Sequence, residues 1–128
     1  MKIPRSIMNK AKEVALTSDV RRGKLAAIIF SRQGEIKVFS SNRVVMGEEG
    51  KRRTFTLHAE EFVLMKAIRK KVFRRNKLSD LILLVIRVRP STMDLCNARP
   101  CKKCAELLKA SGIKTYYTNA EGKIRRFQ

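Results

Sequence analysis

Two short motifs in the chain carry residue types that can bind a metal ion and move protons. In the first, His58, the only histidine, is followed two residues later by Glu60. In the second, Pro100 precedes Cys101 and Cys104, whose spacing places both sulfurs on one face of a starting helix. One imidazole and two thiolates supply three corners of a tetrahedral zinc site and leave the fourth to water, as in catalytic zinc sites.

The two motifs also separate the residues that bind the metal from the residue that can transfer protons. Zinc lowers the pKa of a bound water towards neutrality, so that hydroxide becomes available. With three ligands supplied by His58, Cys101 and Cys104, Glu60 need not touch the metal and is better placed to move protons. We therefore predict a Zn²⁺ site with these three ligands and with Glu60 as its catalytic residue.

Two alternatives use the same cysteines. Adding Cys96 to the three ligands gives a closed site of three sulfurs and one nitrogen, which is a structural arrangement. That arrangement gives Glu60 no task, and Cys96 stands in a stretch that we predict to be irregular. A redox C-x-x-C pair is the other alternative.

The two motifs together resemble a known signature. His-Ala-Glu followed by Pro-Cys-x-x-Cys is similar to the H-x-E and P-C-x-x-C motifs of the zinc-dependent cytidine/deoxycytidylate deaminase superfamily. A predicted helix and an apolar strand lie between the two halves, as that fold requires, and the likeness covers residues 25–127. The resemblance implies hydrolytic deamination of a cytosine base, in which Glu60 takes a proton from water, protonates the ring nitrogen and helps ammonia leave.

The resemblance also suggests where the substrate binds. In many deaminases of the superfamily an asparagine at the end of the second strand binds the sugar, and Asn42 fits that position. Ala59, between the histidine and the glutamate, is the second substrate-binding residue that we carry over. Smaller cytidine deaminases place a sugar-binding glutamate two residues after the asparagine, whereas this chain has Val44. That departure speaks against a plain nucleoside substrate.

A length of 128 residues predicts a single domain over residues 1–128, with one core. Apolar residues at helical spacing predict helices over residues 6–18 and 58–71 and from Pro100 onwards. Apolar or alternating runs predict five strands, over residues 25–30, 35–40, 81–88, 113–118 and 123–127. The turn at 119–122 is too short for a parallel crossover, so the last two strands must pair antiparallel. We therefore expect an α/β fold, a three-layer α/β/α sandwich whose mixed five-stranded sheet ends in a hairpin.

Charge is the unusual feature of the composition. Thirty Lys and Arg against eleven Asp and Glu give a formal net charge of +19 over 128 residues, which attracts polyanions. This charge favours a phosphate-bearing substrate or a nucleic-acid surface without choosing between them. A pyrimidine nucleoside or nucleotide is the substrate we predict. Single-stranded DNA or RNA is the alternative substrate, and a non-catalytic, zinc-stabilised nucleic-acid-binding module is the alternative of another class.

The sequence also suggests where the protein works. The longest apolar run, residues 81–86, is far shorter than the roughly 20 residues that span a membrane, and the N-terminus lacks the apolar segment of a secretory signal. Three cysteines, two of them spaced as ligands, do not make a disulfide framework. We expect a cytoplasmic homo-oligomer without a membrane partner.

Overall fold

The computed structural model describes residues 2–20, 23–46 and 54–128 of the chain; the predicted loop at 47–53 lies outside them. Besides a 3₁₀ helix at Leu78–Asp80, four α-helices and eight strands form in the described residues. In chain order they are α1 (Arg5–Leu16), β1 (Lys24–Ser31), β2 (Ile36–Ser41), β3 (Arg43–Met46), β4 (Thr54–Leu57), α2 (Ala59–Arg69), α3 (Val72–Arg75), β5 (Leu81–Val88), β6 (Leu95–Cys96), α4 (Lys102–Ser111), β7 (Lys114–Thr118) and β8 (Ile124–Arg126).

The five predicted strands belong to one mixed sheet, which has six strands because the two-residue β6 also pairs with β5. Its order is β2-β1-β5-β7-β8. β1 pairs antiparallel with β2 and with β5, β5 pairs parallel with β7, and β7 pairs antiparallel with β8. The parallel pair is joined through α4, which supplies the crossover that such a pair needs. The predicted mixed sheet and its terminal hairpin are confirmed.

Helices cover both faces of this sheet. Side chains alternate along a strand, so Leu83 and Val85 of β5 pack in one apolar cluster with α2 and α4, while Leu84 and Ile86 pack in another with α1. All four are fully buried. A near-continuous apolar strand is therefore covered on both sides, and the three-layer α/β/α arrangement is confirmed.

The structure adds short elements that the sequence analysis missed. β3 and β4 pair antiparallel as a separate two-stranded sheet. β6 pairs with the end of β5, Cys96 opposite Arg87, so the predicted irregular stretch around Cys96 contains a short strand. Two or four residues of pairing are too few to produce a recognisable alternation in sequence. Of the helices in the described ranges, none has the length and hydropathy to cross a bilayer.

Both helices that carry the predicted ligands begin one or two residues later than expected. α2 begins at Ala59 with His58 as its N-cap, and α4 begins at Lys102 with Cys101 as its N-cap. Both N-cap residues have extended backbone, with φ/ψ of −72°/147° and −68°/169°, as N-caps do. Pro100 therefore precedes α4 and does not lie in its first turn.

The packing of α1 yields a stability prediction. Ile7 is fully buried against the sheet, whereas Leu16 of the same helix is 46% exposed. We expect Ile7→Ala to lower the free energy of unfolding by about 2–5 kcal/mol, since it leaves a cavity. Leu16→Ala should change it by only about 0.5 kcal/mol. Urea titration measures both values, and similar losses for the two variants would contradict the placement of α1 as a core layer.

Candidate active site

Two helix N-termini meet at the site. His58 follows β4 and its carbonyl accepts the first hydrogen bond of α2, from the Phe62 amide at 3.0 Å. Cys101 occupies the same position in α4, where its carbonyl accepts from the Ala105 amide at 2.7 Å. Cys104 lies one turn into α4 and is fully buried. Residues more than 40 positions apart in sequence are thereby brought to one point.

The three side chains have the spacing of a tetrahedral metal site. His58 Nδ1 lies 3.2 Å from Cys104 Sγ and 3.5 Å from Cys101 Sγ, and the three ligand atoms all lie within 4.8 Å of one another. Zn–S and Zn–N bonds of about 2.3 and 2.0–2.1 Å at tetrahedral angles give an N···S edge of about 3.5 Å. The donor set therefore fits zinc.

Glu60 is buried beside these ligands. Its side chain is 3% exposed, and among the described residues its Oε1 has no hydrogen-bond partner. Burial raises the pKa of the Glu60 carboxyl, although a backbone amide, His58 and Cys104 oppose the rise. Burial, the nearby Glu60 and Cys101 likewise raise the pKa of the Cys104 thiol. Because a metal binds the thiolate, loading the site must displace a proton.

A cavity of about 290 Å³ opens over this cluster. Five of the six predicted site residues line it, namely Asn42, His58, Ala59, Glu60 and Cys101, and Cys104 is the sixth, buried behind them. Five residues that were not predicted also line it: Val20, Gly23, Leu25, Arg87 and Arg99. The structure thus gathers all the predicted site residues at one cavity.

Comparison with known proteins identifies the family. The family defined by the cytidine and deoxycytidylate deaminase zinc-binding region matches residues 1–120. The chain belongs to this deaminase family. Since the matched region is a zinc-binding one and the His/Cys/Cys group fits zinc, Zn²⁺ is the cofactor. The resemblance found in the sequence is confirmed.

A solved structure supports the same fold. The chain is similar to the dCMP deaminase of the cyanophage S-TIM5 in its apo form, with a TM-score of 0.64 and 23% sequence identity. The match covers 94% of this chain and 86% of that one. No curated protein matches the sequence. At this identity the structural likeness shows the fold of the chain alone.

Asn42 of this deaminase has a structural task besides its place in the cavity. Its Oδ1 accepts hydrogen bonds from the Ser18 hydroxyl at 2.6 Å and the Leu25 amide at 3.0 Å. Its Nδ2 donates to the Gly23 carbonyl at 2.9 Å. The side chain thus fastens the connection between α1 and β1 to the end of β2. Sequence alone indicates only that an asparagine follows a strand.

Glu61 joins the two helix N-termini, a role that the sequence analysis missed. Its Oε1 accepts from the His58 amide at 3.4 Å, and its Oε2 lies 3.1 Å from Lys103 Nζ in α4. The available signal was a glutamate at the third helical position after the N-cap, as in a capping box. Because Lys103 is exposed, this ion pair contributes little to stability.

Cys96 lies apart from the metal ligands. Its Sγ donates to the Arg87 carbonyl at 3.7 Å, and within the described chain the metal-binding group comprises His58, Cys101 and Cys104. The closed site of three sulfurs and one nitrogen does not form in this geometry.

The geometry of the cluster predicts how zinc responds to cysteine substitution. We expect purified protein to hold about one zinc per chain, and Cys101→Ala or Cys104→Ala to lose it, since each removes a corner of the site. Cys96→Ser is the matched control and should keep its zinc. Elemental analysis after dialysis measures all three variants. Zinc loss by Cys96→Ser as complete as in the other two would favour the closed structural site.

The hydrogen bonds of Asn42 predict a loss of stability on truncation. Asn42→Ala leaves the Leu25 amide and the Gly23 carbonyl without their side-chain partner, and we expect about 2–4 kcal/mol less unfolding free energy. Asn9→Ala, on the exposed side of α1, is the control and should change little. Chemical denaturation checks both. Wild-type stability in Asn42→Ala would mean that the three bonds contribute nothing.

Proposed function

We propose that residues 1–128 act as one zinc-dependent deaminase domain that hydrolyses the cytosine base of a pyrimidine nucleoside or nucleotide to uracil, with release of ammonia. One observation carries this proposal. Glu60 has a buried carboxylate oxygen without a partner among the described residues, and it lines one cavity with His58 and Cys101 of the His/Cys/Cys group. A structural zinc site has no use for such a group, whereas a hydrolytic site requires one.

Three residues hold the metal in this proposal. His58 binds through Nδ1, the ring nitrogen that faces both sulfurs, and Cys101 and Cys104 bind as thiolates. When bound, zinc supplies a Lewis acid that lowers the pKa of a water molecule in the cavity. The N-termini of α2 and α4 meet there, and their positive dipole ends favour the two thiolates.

Glu60 moves the protons. It accepts a proton from the attacking water, delivers it to the ring nitrogen next to the reacting carbon and then assists the departure of ammonia. Its free oxygen is available for this transfer because no described residue hydrogen-bonds to it. Burial keeps bulk water from competing for the same protons.

Asn42 and Ala59 position the substrate. An amide NH₂ has two donors, and the Gly23 carbonyl accepts from Asn42 Nδ2, so that one donor remains for a sugar hydroxyl. Ala59 is fully buried and lines the cavity, and its small side chain leaves room for a flat base. These two residues bind the substrate, and Glu60 carries the chemistry.

A polynucleotide substrate is the second candidate, favoured by the net charge of +19. Such a charge attracts single strands in a salt-dependent way. A non-catalytic, zinc-stabilised nucleic-acid-binding module is the third candidate, and it is not an enzyme.

For the enzyme we propose a reducing compartment, the cytoplasm, because the ligand thiols must stay reduced. Exposed Met65, Ile68 and Leu107 on α2 and α4 support the proposal of a homo-oligomer.

Replacing Glu60 separates an enzyme from a binding module. Glu60→Gln keeps the shape of the side chain but removes the oxygen that accepts a proton. We expect it to retain zinc and the wild-type melting temperature, and to lose about 10²–10⁴ in rate. The assay is ammonia release from cytosine nucleosides, nucleotides and oligonucleotides. Glu106→Gln, exposed on α4, should remain fully active.

Two outcomes would contradict the catalytic assignment. One is deamination by Glu60→Gln at a rate near that of the wild type. The other is a zinc-loaded wild type that acts on no cytosine compound in the panel.

A further inference from the structure

Arg87 occupies a position where the sheet would otherwise continue its apolar core. Leu81, Leu83 and Val85 of β5 face α2 and α4, and alternation along the strand places Arg87 next in that row. It pairs in register with Leu25 of β1, whose side chain packs on the same cluster. A guanidinium group therefore stands where a leucine or valine would fit.

Arg87 has no ion-pair partner among the described residues. It is partly buried, and none of the ion pairs among the described residues includes it. Its guanidinium packs against Gly23, where an added Cβ would lie 2.6–2.8 Å from the Arg87 side-chain atoms. Gly23 also has φ of +70°, so two independent constraints favour glycine there. Removing a cation from water without a partner costs free energy, and an anionic ligand would offset that cost.

A second arginine lines the same cavity from another element. Arg99 lies two residues before Cys101, and its amide donates to Asn97 Oδ1 at 3.1 Å, which turns the chain there. Its guanidinium carbon lies 6.0 Å from the centre of the Tyr117 ring. Like Arg87, it belongs to none of the ion pairs of the described residues. The cavity of Glu60 is thus bounded by two cations, one from β5 and one from the segment before α4.

We propose that Arg87 and Arg99 form a subsite for the 5′-phosphate of a free pyrimidine mononucleotide. This inference rests on the proposed function and adds the substrate class. Guanidinium groups bind phosphate through paired hydrogen bonds. A phosphate monoester carries about −1.5 to −2 charges at neutral pH, which two arginines match, whereas a nucleoside carries none and a phosphodiester carries one.

The test compares substrates and arginine variants. We expect wild-type kcat/KM for CMP or dCMP to exceed that for cytidine or deoxycytidine. Arg87→Leu fits the apolar row of β5, so it should keep zinc and the melting temperature. It should lower kcat/KM for the monophosphate about 10- to 100-fold, mainly through KM, and leave the nucleoside value unchanged. Arg99→Gln should also lower kcat/KM for the monophosphate, and Arg87→Lys should lose less of it than Arg87→Leu. Arg126 is exposed on β8, and Arg126→Leu is the control that should match the wild type.

A binding measurement keeps this inference separate from the proposed function. Calorimetry should find that wild type binds deoxyuridine 5′-monophosphate more tightly than deoxyuridine, and that Arg87→Leu removes the difference. If wild type deaminates no cytosine compound, the proposed function falls and this calorimetric difference alone decides for or against the subsite. Should Arg87→Leu fail to fold, Arg87→Gln replaces it.

Three results would overturn the inference while the deaminase assignment stands. The first is equal kcat/KM for nucleoside and monophosphate in the wild type. The second is an equal loss for both substrates in Arg87→Leu. The third is a preference for single-stranded oligonucleotides that depends on Arg87, which would assign the subsite to a polynucleotide backbone.

Discussion

The metal-binding group depends on the meeting of two helix N-termini. His58 caps α2 and Cys101 caps α4, and His58 Nδ1 lies within 3.5 Å of both cysteine sulfurs. Their positions follow from the sheet, because β5 lies between the two motifs in sequence and packs against both helices through its apolar side chains. Glu61 connects the helices directly, through the His58 amide and the Lys103 ammonium. Three-layer packing thus produces a donor set with the spacing of tetrahedral zinc.

The same packing determines what surrounds the metal. Glu60 is held in the first turn of α2, where burial removes water and leaves one carboxylate oxygen without a partner in the described part of the chain. On the face of β5 that packs against α2 and α4, Leu81, Leu83 and Val85 belong to the apolar cluster. The next residue on that face, Arg87, lines the cavity. Asn42 fixes the facing edge through its bonds to Ser18, Leu25 and Gly23. The proposed catalytic and substrate-binding residues are therefore positioned by core contacts and hydrogen bonds that also stabilise the fold.

Sequence reasoning predicted the long elements and the metal group because their signals are local. Apolar periodicity located the five strands and three longer helices, and the spacing of the two motifs indicated the metal donors. It missed β3, β4 and β6, which are too short for a periodic signal. It also missed Arg87 as part of the cavity. Its place there depends on which face of β5 points towards α2 and α4 and on the pairing of Arg87 with Leu25, and neither can be read from the local sequence. The dual task of Asn42 depends on partners 17 to 24 residues away, which no local pattern encodes.

If the proposed hydrolytic deamination occurs, the oxygen at C4 of the uracil product comes from water. Zinc-loaded protein is incubated with CMP, dCMP and their nucleosides in ¹⁸O-enriched water, and the product is examined by mass spectrometry. We expect a uracil product that carries one heavy oxygen at C4, together with one released ammonia per turnover. An unchanged cytosine compound in every case, or a uracil product without the label, would contradict the proposal.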